Sequence, residues 1–293
     1  FIILLREIEP SSESVLERAV SILNQPLLNY FDVQRFGVTR PYTHLVGRSL
    51  VQRDFEGAIM AMLVTPSEYE SAGLTEARLR LSDELKPDER LLEEMPEELR
   101  YERAVVRHLI RRPGDYAGAM RRVPPRVLTI FVHAFQSYLF NRLISERARR
   151  GMSIELPEPG DFLVQLNATH SGRDSWAFVT ESRLDASREL VESGEYGLAS
   201  RVPGYSTKMP PSEQTDTLRK LLFQEGVRLI DFRNPDFRAL DSPGGLHLVS
   251  LRAKAPSVAV EESGIRMAFS LQKGSYATVV LRELMKNHPI NRV

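Results

Sequence analysis

The rhythm of apolar and polar positions changes several times along the chain. Phe1–Ile8 is a short apolar run that reads as a strand. Ser11 and Ser12 follow Pro10 as N-caps for an amphipathic helix over Val15–Leu23, which Pro26 closes. Asn29–Gly37 is aromatic-rich and ends in glycine, as a loop or a strand–loop junction does. From Tyr42 to Arg122 apolar residues recur every three to four positions in Thr43–Gln52, Phe55–Leu63, Glu97–Arg111 and Ala117–Arg122, punctuated by Pro66, Pro87, Pro96 and Pro113. The longest helix is expected from Pro124-Pro125 to Arg150, with proline in its first turn and Gly151 just past its end. Its buried stripe reads as Ile130, Phe131, Ala134, Phe135, Tyr138, Leu139 and Leu143.

After Gly151 strands return. Phe162–Leu166, Trp176–Thr180, His247–Ala253, Val258–Glu261 and Ile265–Leu271 are strand candidates. Helices are expected at Asp185–Glu192, Ser212–Gln224 (with Ser212 as cap) and Tyr276–Lys286. A strand at the start, a strand–strand–helix at the end and a helix-rich middle point to an α+β protein. Its ends would form one sheet-bearing unit around an insertion. An apolar strand as the first element, without an initiator methionine, reads as the start of a partial chain.

Composition narrows the function. No run of about 18 apolar residues exists to span a membrane, and no secretory signal opens the chain. The absence of cysteine excludes disulfides, thiolate nucleophiles and cysteine-bound zinc. The six histidines show no metal-ligand spacing, and Lys273-Gly274-Ser275 has the wrong residue order for a P-loop. The 39 basic and 39 acidic residues cancel, but unevenly. Asp83–Glu102 is acid-rich, Arg103–Arg126 holds seven arginines against one acid, and Arg147-Ala148-Arg149-Arg150 adds a second basic cluster. Such runs serve either as solvated helix faces or as patches for RNA phosphates.

Three segments carry candidate chemistry. Asn29-Tyr30-Phe31-Asp32-Val33-Gln34-Arg35-Phe36-Gly37 puts aromatics beside amides and a guanidinium, the groups that stack an unpaired base and hold its edge or phosphate. The same aromatics would equally fill a core. On a helix, His133, Gln136, Ser137 and Asn141 share a face that either lines a cleft or is satisfied by backbone. Phe269–Glu283 reads as strand, glycine turn and helix. The N–H groups at that helix start favour an anion, and Arg282 and Glu283 are placed to hold a neighbouring segment by charge.

Taken in order, these segments resemble the TruD family of tRNA pseudouridine synthases, particularly its archaeal members. Asn29–Gly37 is similar to the family's N-Y-F-G-x-Q-R-F-G box, continued by Thr43-His44-Leu45-Val46-Gly47. Phe131–Asn141 is similar to its F-x-H-A-[FY]-Q-S-Y-L-F-N helix, and Phe269–Glu283 to its F-x-L-P-x-G-S-Y-A-T-x-x-L-R-E terminus. Val202-Pro203-Gly204-Tyr205 is a weaker match. The resemblance implies a cytoplasmic isomerase that acts on a uridine of tRNA, usually in the D-arm region, without metal or organic cofactor. The uracil detaches, rotates and rejoins the ribose through C5 with the help of an aspartate, after the nucleotide has left its stack. It further implies a catalytic domain of residues 1–55 and 241–293, split around an insertion domain of residues 56–240 whose arginine-rich helices bind phosphates. Phe31 would pack on the target base and Asn29 would orient the aspartate. Phe269 and the Gly274 turn would shape the pocket wall, and Gln34, Arg35, Lys273 and Arg282 would bind substrate.

The chain departs from the pattern in three places. The family's G-L-K-D aspartate motif and its early lysine are not among the 293 residues; they are expected upstream of residue 1, so this chain alone is expected to be inactive. Asp32 stands where the family has glycine, at a position that glycine would suit if the backbone were strained. Gln272 replaces the family's proline, which would loosen the turn. A non-catalytic RNA-binding paralogue and an inactive fragment are the rival readings.

Overall fold

A computed structural model describes residues 1–6, 13–83, 86–166, 175–235 and 237–286. The proposed Ser11 and Ser12 caps lie outside them. In chain order the elements begin with β1 (Ile2–Leu5), α1 (Glu13–Asn24), β2 (Leu27–Leu28) and α2 (Val33–Phe36). A helical stretch follows: α3 (Thr43–Val51), α4 (Phe55–Val64), α5 (Ala72–Asp83), α6 (Glu89–Glu94), α7 (Arg100–Arg111), α8 (Tyr116–Met120) and α9 (Pro125–Arg149). Then come β3 (Phe162–Gln165), β4 (Trp176–Phe178), α10 (Leu184–Glu192), β5 (Tyr196–Val202) and α11 (Glu213–Gln224). The chain closes with β6 (Gly245–Leu248), β7 (Ser250–Leu251), β8 (Lys254–Glu261), β9 (Gly264–Ser270) and α12 (Ala277–Met285).

The two ends of the chain build one sheet. β1 pairs antiparallel with β9, from Ile2 opposite Ala268 to Leu5 opposite Ile265, and β9 pairs with β8. Leu5, Ala19, Leu23, Met267, Phe269 and Val280 form the core between this sheet, α1 and α12. A second antiparallel sheet runs β4-β3-β5-β6. The strand Gly245–Leu251 hands over between partners. Its first half pairs with β5, and after Val249 its second half, β7, pairs with β2. The Asn29 N–H donates to the Val249 carbonyl at 2.8 Å at this crossing point, which fixes the start of the aromatic box beside the second sheet.

Helix α9 is the pillar. Phe131, Phe135, Leu139 and Leu143 face the large helical core, while Phe140 and Ile144 face a smaller core with Phe31, Leu163, Leu198 and Val249. The expected single stripe therefore needs correcting. Two apolar sides are buried, Leu128, Val132, Phe140 and Ile144 join them, and Ile130 is 47% exposed. Gly47 brings α3 against α9 so closely that a Cβ there would sit 1.9 Å from the Phe131 carbonyl oxygen. Short or weakly amphipathic elements, β2, α5, α6 and β5 among them, are not announced by the periodicity. Asn29–Gly37 contains a helical turn, α2.

Buried guanidinium groups cap the C-terminal end of α4. Arg40 donates to the Met62 carbonyl at 3.0 Å and to Glu102 at 2.8 Å; Arg78 donates to the Leu63 carbonyl at 2.8 Å and to Glu70. Cations at that end meet the negative pole of the helix and its orphan carbonyls. Several arginines of the basic runs are likewise used internally. Arg103 donates to the carbonyls of Leu92 and Met95, Arg147 pairs with Asp161 at 2.7 Å, and Arg150 pairs with Glu146 and Glu213. Arg107, Arg111 and Arg126 lie exposed.

Candidate functional site

The three candidate segments converge around Phe31. Its ring is 9% exposed and stacks on the imidazole of His247, with centroids 4.4 Å apart and planes at 20°. Phe140 and Tyr276 meet it edge-on at 5.3 and 6.1 Å, and the Arg35 guanidinium lies 5.6 Å from its centroid. A cavity of about 290 Å³ opens beside it, lined among others by Phe31, Asp32, Phe36, His44, Tyr138 and Arg282.

Asn141 on α9 clamps the Phe31 backbone. Its Oδ1 accepts the Phe31 N–H at 3.0 Å and its Nδ2 donates to the Phe31 carbonyl at 2.8 Å, so one amide does what a neighbouring strand would do. Gln136 and Ser137 on that helix face are satisfied by nearby groups. Gln136 donates to the Pro203 carbonyl at 2.6 Å and accepts from Ser242, and Ser137 donates to the His133 carbonyl. Burial, with the charge of Arg35 second, lowers the pKa of His133.

The start of α12 closes on the box from the other side. Gln34 bonds Thr278 at 3.0 Å, Arg35 Nε donates to the Tyr276 hydroxyl at 3.3 Å, and Arg282 approaches Asp32 at 3.6 Å. Asp32 is 4% exposed. Its backbone, at φ −115° and ψ −167°, is ordinary extended chain. This corrects the expectation of strain, because any L-residue adopts that conformation. What a side chain brings here is a buried carboxylate that Arg282 must offset. Gln272 reaches from the glycine turn to the Leu166 carbonyl at 3.0 Å and so ties the turn to the end of β3.

Of the residues singled out from sequence, Asn29, Phe31, Gln34, Arg35, Gly274 and Arg282 come together. Lys273 is exposed beside Gly274, which holds φ +94°. Phe269 lies apart, 4% exposed in the core of the first sheet with the Phe1 ring 5.8 Å away. His247 was not singled out, although it is a lone polar residue between Leu246 and Leu248 in an apolar strand. Asn29 Nδ2 lies 3.1 Å from His247 Nε2 and donates to the Leu248 carbonyl at 3.2 Å. The carbonyl can only accept, so Nδ2 must face this way, and Nε2 is then the unprotonated ring nitrogen. Burial pushes the His247 pKa down to about 4, a hydrogen bond to the Asn29 backbone raises it, and the charge of Arg35 lowers it. The imidazole is neutral at pH 7.

Buried polar atoms without a partner gather here. Such atoms among the described residues include Asn29 Oδ1, Asp32 Oδ2, His44 Nδ1 and Ser275 Oγ, all on segments that border Phe31. Native interiors leave few groups unpaired, and these atoms offer hydrogen bonds to a water or a ligand. Stacking surface, unpaired hydrogen-bonding atoms and nearby guanidinium groups suit a flat polar ring attached to a phosphate.

Comparison with known proteins gives a consistent result. A family model described as tRNA pseudouridine synthase D (TruD) matches residues 1–284. The chain is 33% identical over 303 residues to a protein of Methanococcoides burtonii named "Probable tRNA pseudouridine synthase D", covering 99% of this chain and 69% of that one. It is 36% identical over 262 residues to the protein of the same name from Methanopyrus kandleri, covering 88% and 57%. A TruD crystal structure from Methanosarcina mazei superposes with a TM-score of 0.84 at 30% identity, covering 99% of this chain and 69% of that chain. The chain thus spans 57% to 69% of the length of these three. Among the described residues no helix is long and apolar enough to cross a membrane.

Proposed function

Since the chain belongs to the TruD family of tRNA pseudouridine synthases, we propose that it forms the base-gripping part of an enzyme that isomerises a uridine of tRNA to pseudouridine. The observation that carries this reading is the convergence of Asn29–Gly37, Asn141 and the Gly274 turn on one ring, Phe31, within a family of that activity. The D-arm region is the target the reading favours. The bond-making carboxylate is expected from a segment outside these residues, which alone would bind RNA without turning it over. The cytoplasm is the expected compartment.

In this reading the target uridine leaves its stack and its uracil lies against Phe31. His247 now covers a face of that ring and takes a hydrogen bond from the Asn29 amide. It is therefore a placeholder. When it swings aside, a stacking face and one N–H of Asn29 Nδ2 are released together; the other N–H stays on the Leu248 carbonyl, and the freed one can orient a carboxylate. Asn141 keeps the Phe31 backbone fixed while the ring changes partner. Arg35 supplies positive charge beside the box for the nucleotide's phosphate, while Arg282 offsets the buried Asp32. Exposed arginines such as Arg107, Arg111 and Arg126 would hold the rest of the tRNA by contacts that weaken steeply with salt.

Tritium release from tRNA labelled at uridine C5 tests the reading on the full-length gene product. Release that Phe31→Ala abolishes is expected. Retained tRNA binding with no release from the unsubstituted protein would leave a binding protein instead.

A further inference from the structure

The second sheet has another face. Strand alternation turns Leu163, Leu198 and His247 toward Phe31, and turns Phe162, Trp176, Arg201 and Leu246 the opposite way. On that opposite side lies a cavity of about 460 Å³, within the range of small-ligand sites. Its floor is aromatic. Trp176 is 37% exposed, and its ring centroid is 5.7 Å from that of Phe162. Its rim comes from the loops 206–208 and 243–245.

Its charge is one-sided. Among the described residues Arg201 and Lys208 line it and no acidic side chain does. Arg201 is 2% exposed, and its guanidinium lies 5.3 Å from the Phe162 ring centroid. Nη1 donates to the Thr215 hydroxyl at 2.6 Å and to the Lys208 carbonyl at 3.4 Å, both neutral, and Nε has no acceptor. Asp161, the carboxylate whose charge reaches it, is bonded to Arg147 at 2.7 Å. Burial draws the Arg201 pKa down to about 10, so the group remains charged at pH 7. A buried cation held by neutral partners is costly unless an anion completes it.

We propose that this cavity is a second nucleotide subsite, which takes one unstacked nucleotide of the RNA strand with its base on Trp176 and its phosphate at Arg201 and Lys208. This rests on the reading that the chain binds RNA, but not on catalysis. The subsite lies across the sheet from Phe31, so it would anchor a nucleotide other than the one converted. A base edge finds hydroxyls at Ser206 and Thr207, and the ring faces supply stacking that tolerates any base.

Trp176 is the only tryptophan in the 293 residues and so reports on its own site. Titration with a single-stranded pentauridylate should change its fluorescence, and Trp176→Phe should remove that change. Lys208→Glu, on an exposed side chain, should weaken binding about tenfold and flatten its salt dependence. Phe31→Leu should leave the Trp176 signal intact while it lowers the rate of tritium release, so the two sites fail separately. Four outcomes overturn the proposal: no change in Trp176 while filter-bound tRNA persists, an equal response to inorganic phosphate alone, an equal response to an acidic peptide, or full saturation by 5′-UMP at the oligonucleotide's affinity. The last would mark a free-nucleotide site and not an RNA contact. Should Lys208→Glu fail to fold, Lys208→Gln with the same titration decides the matter.

Discussion

Acid should destabilise this protein through His247, and the size of the effect follows from where the ring sits. The ring stacks on Phe31, and burial pushes its pKa down to about 4 from an ordinary value of 6.5. The unfolded chain therefore takes up a proton more readily than the folded one, and stability rises with pH across this window. The contribution is fully present above pH 6.5, declines as pH falls, and is gone near pH 4. A gap of 2.5 pH units corresponds to about 3.4 kcal/mol in full, and to about 2 kcal/mol between pH 7 and pH 5. These are upper values, because the ring is only partly shielded from water. Urea melts at pH 7 and pH 5 on the unsubstituted chain and on His247→Phe, which keeps a flat ring on Phe31, would isolate the effect. Burial also lowers the pKa of His44 and His133 and raises that of Glu102, but those groups are common to both proteins and cancel in the difference. The unsubstituted chain should lose about 2 kcal/mol more than the variant. Equal losses would show that His247 is not held neutral against Phe31, and the placeholder role would fall with it.

Other substitutions probe the same frame. His247→Ala should lower the KM for tRNA and leave kcat unchanged, since the placeholder no longer competes for the Phe31 face; a raised KM would mean that the imidazole helps binding. Phe31→Leu keeps an apolar side chain but removes the stacking ring, and should cost about 1–3 kcal/mol in kcat/KM, read by tritium release. Asn141→Ala removes both hydrogen bonds to the Phe31 backbone, and urea melts should show a loss of about 1–3 kcal/mol. Gly47→Ala places a methyl 1.9 Å from the Phe131 carbonyl oxygen. It should cost about 3 kcal/mol or more, because backbone and not a pliable side chain must move; a melt unchanged from the unsubstituted chain would refute the close α3–α9 approach.

Local pattern determined a good deal by itself. The long helix was legible because its proline start and glycine stop are chemical facts about backbone conformation, and the observed α9 runs Pro125–Arg149. Ser212 was legible as a cap, and its hydroxyl accepts the Thr215 N–H at 3.2 Å. The α+β class and the family followed from the order of elements and from long motifs. Asn29–Gly37, the polar residues of α9 and the glycine turn were visible as unusual composition, though whether they filled a core or lined a site was not. Phe31 is a core member that also has an edge on a cavity.

Tertiary structure decided what depends on neighbours distant in sequence. That α9 has two buried sides follows from the two cores between which it stands, which a single-helix period does not encode. β5 was missed because its partners, not its own alternation, hold it between β3 and β6. His247 looked like one more histidine until a strand crossover set it against Phe31 and Asn29, residues more than two hundred positions away. Asp32 was marked by its departure from the motif, but only the fold shows that it is a buried charge facing Arg282 and not a strained backbone. Sequence specifies short-range conformation because dihedral preferences and capping act over a turn or two. Burial, stacking and the pKa of a ring are set by whatever the rest of the chain brings within a few ångströms.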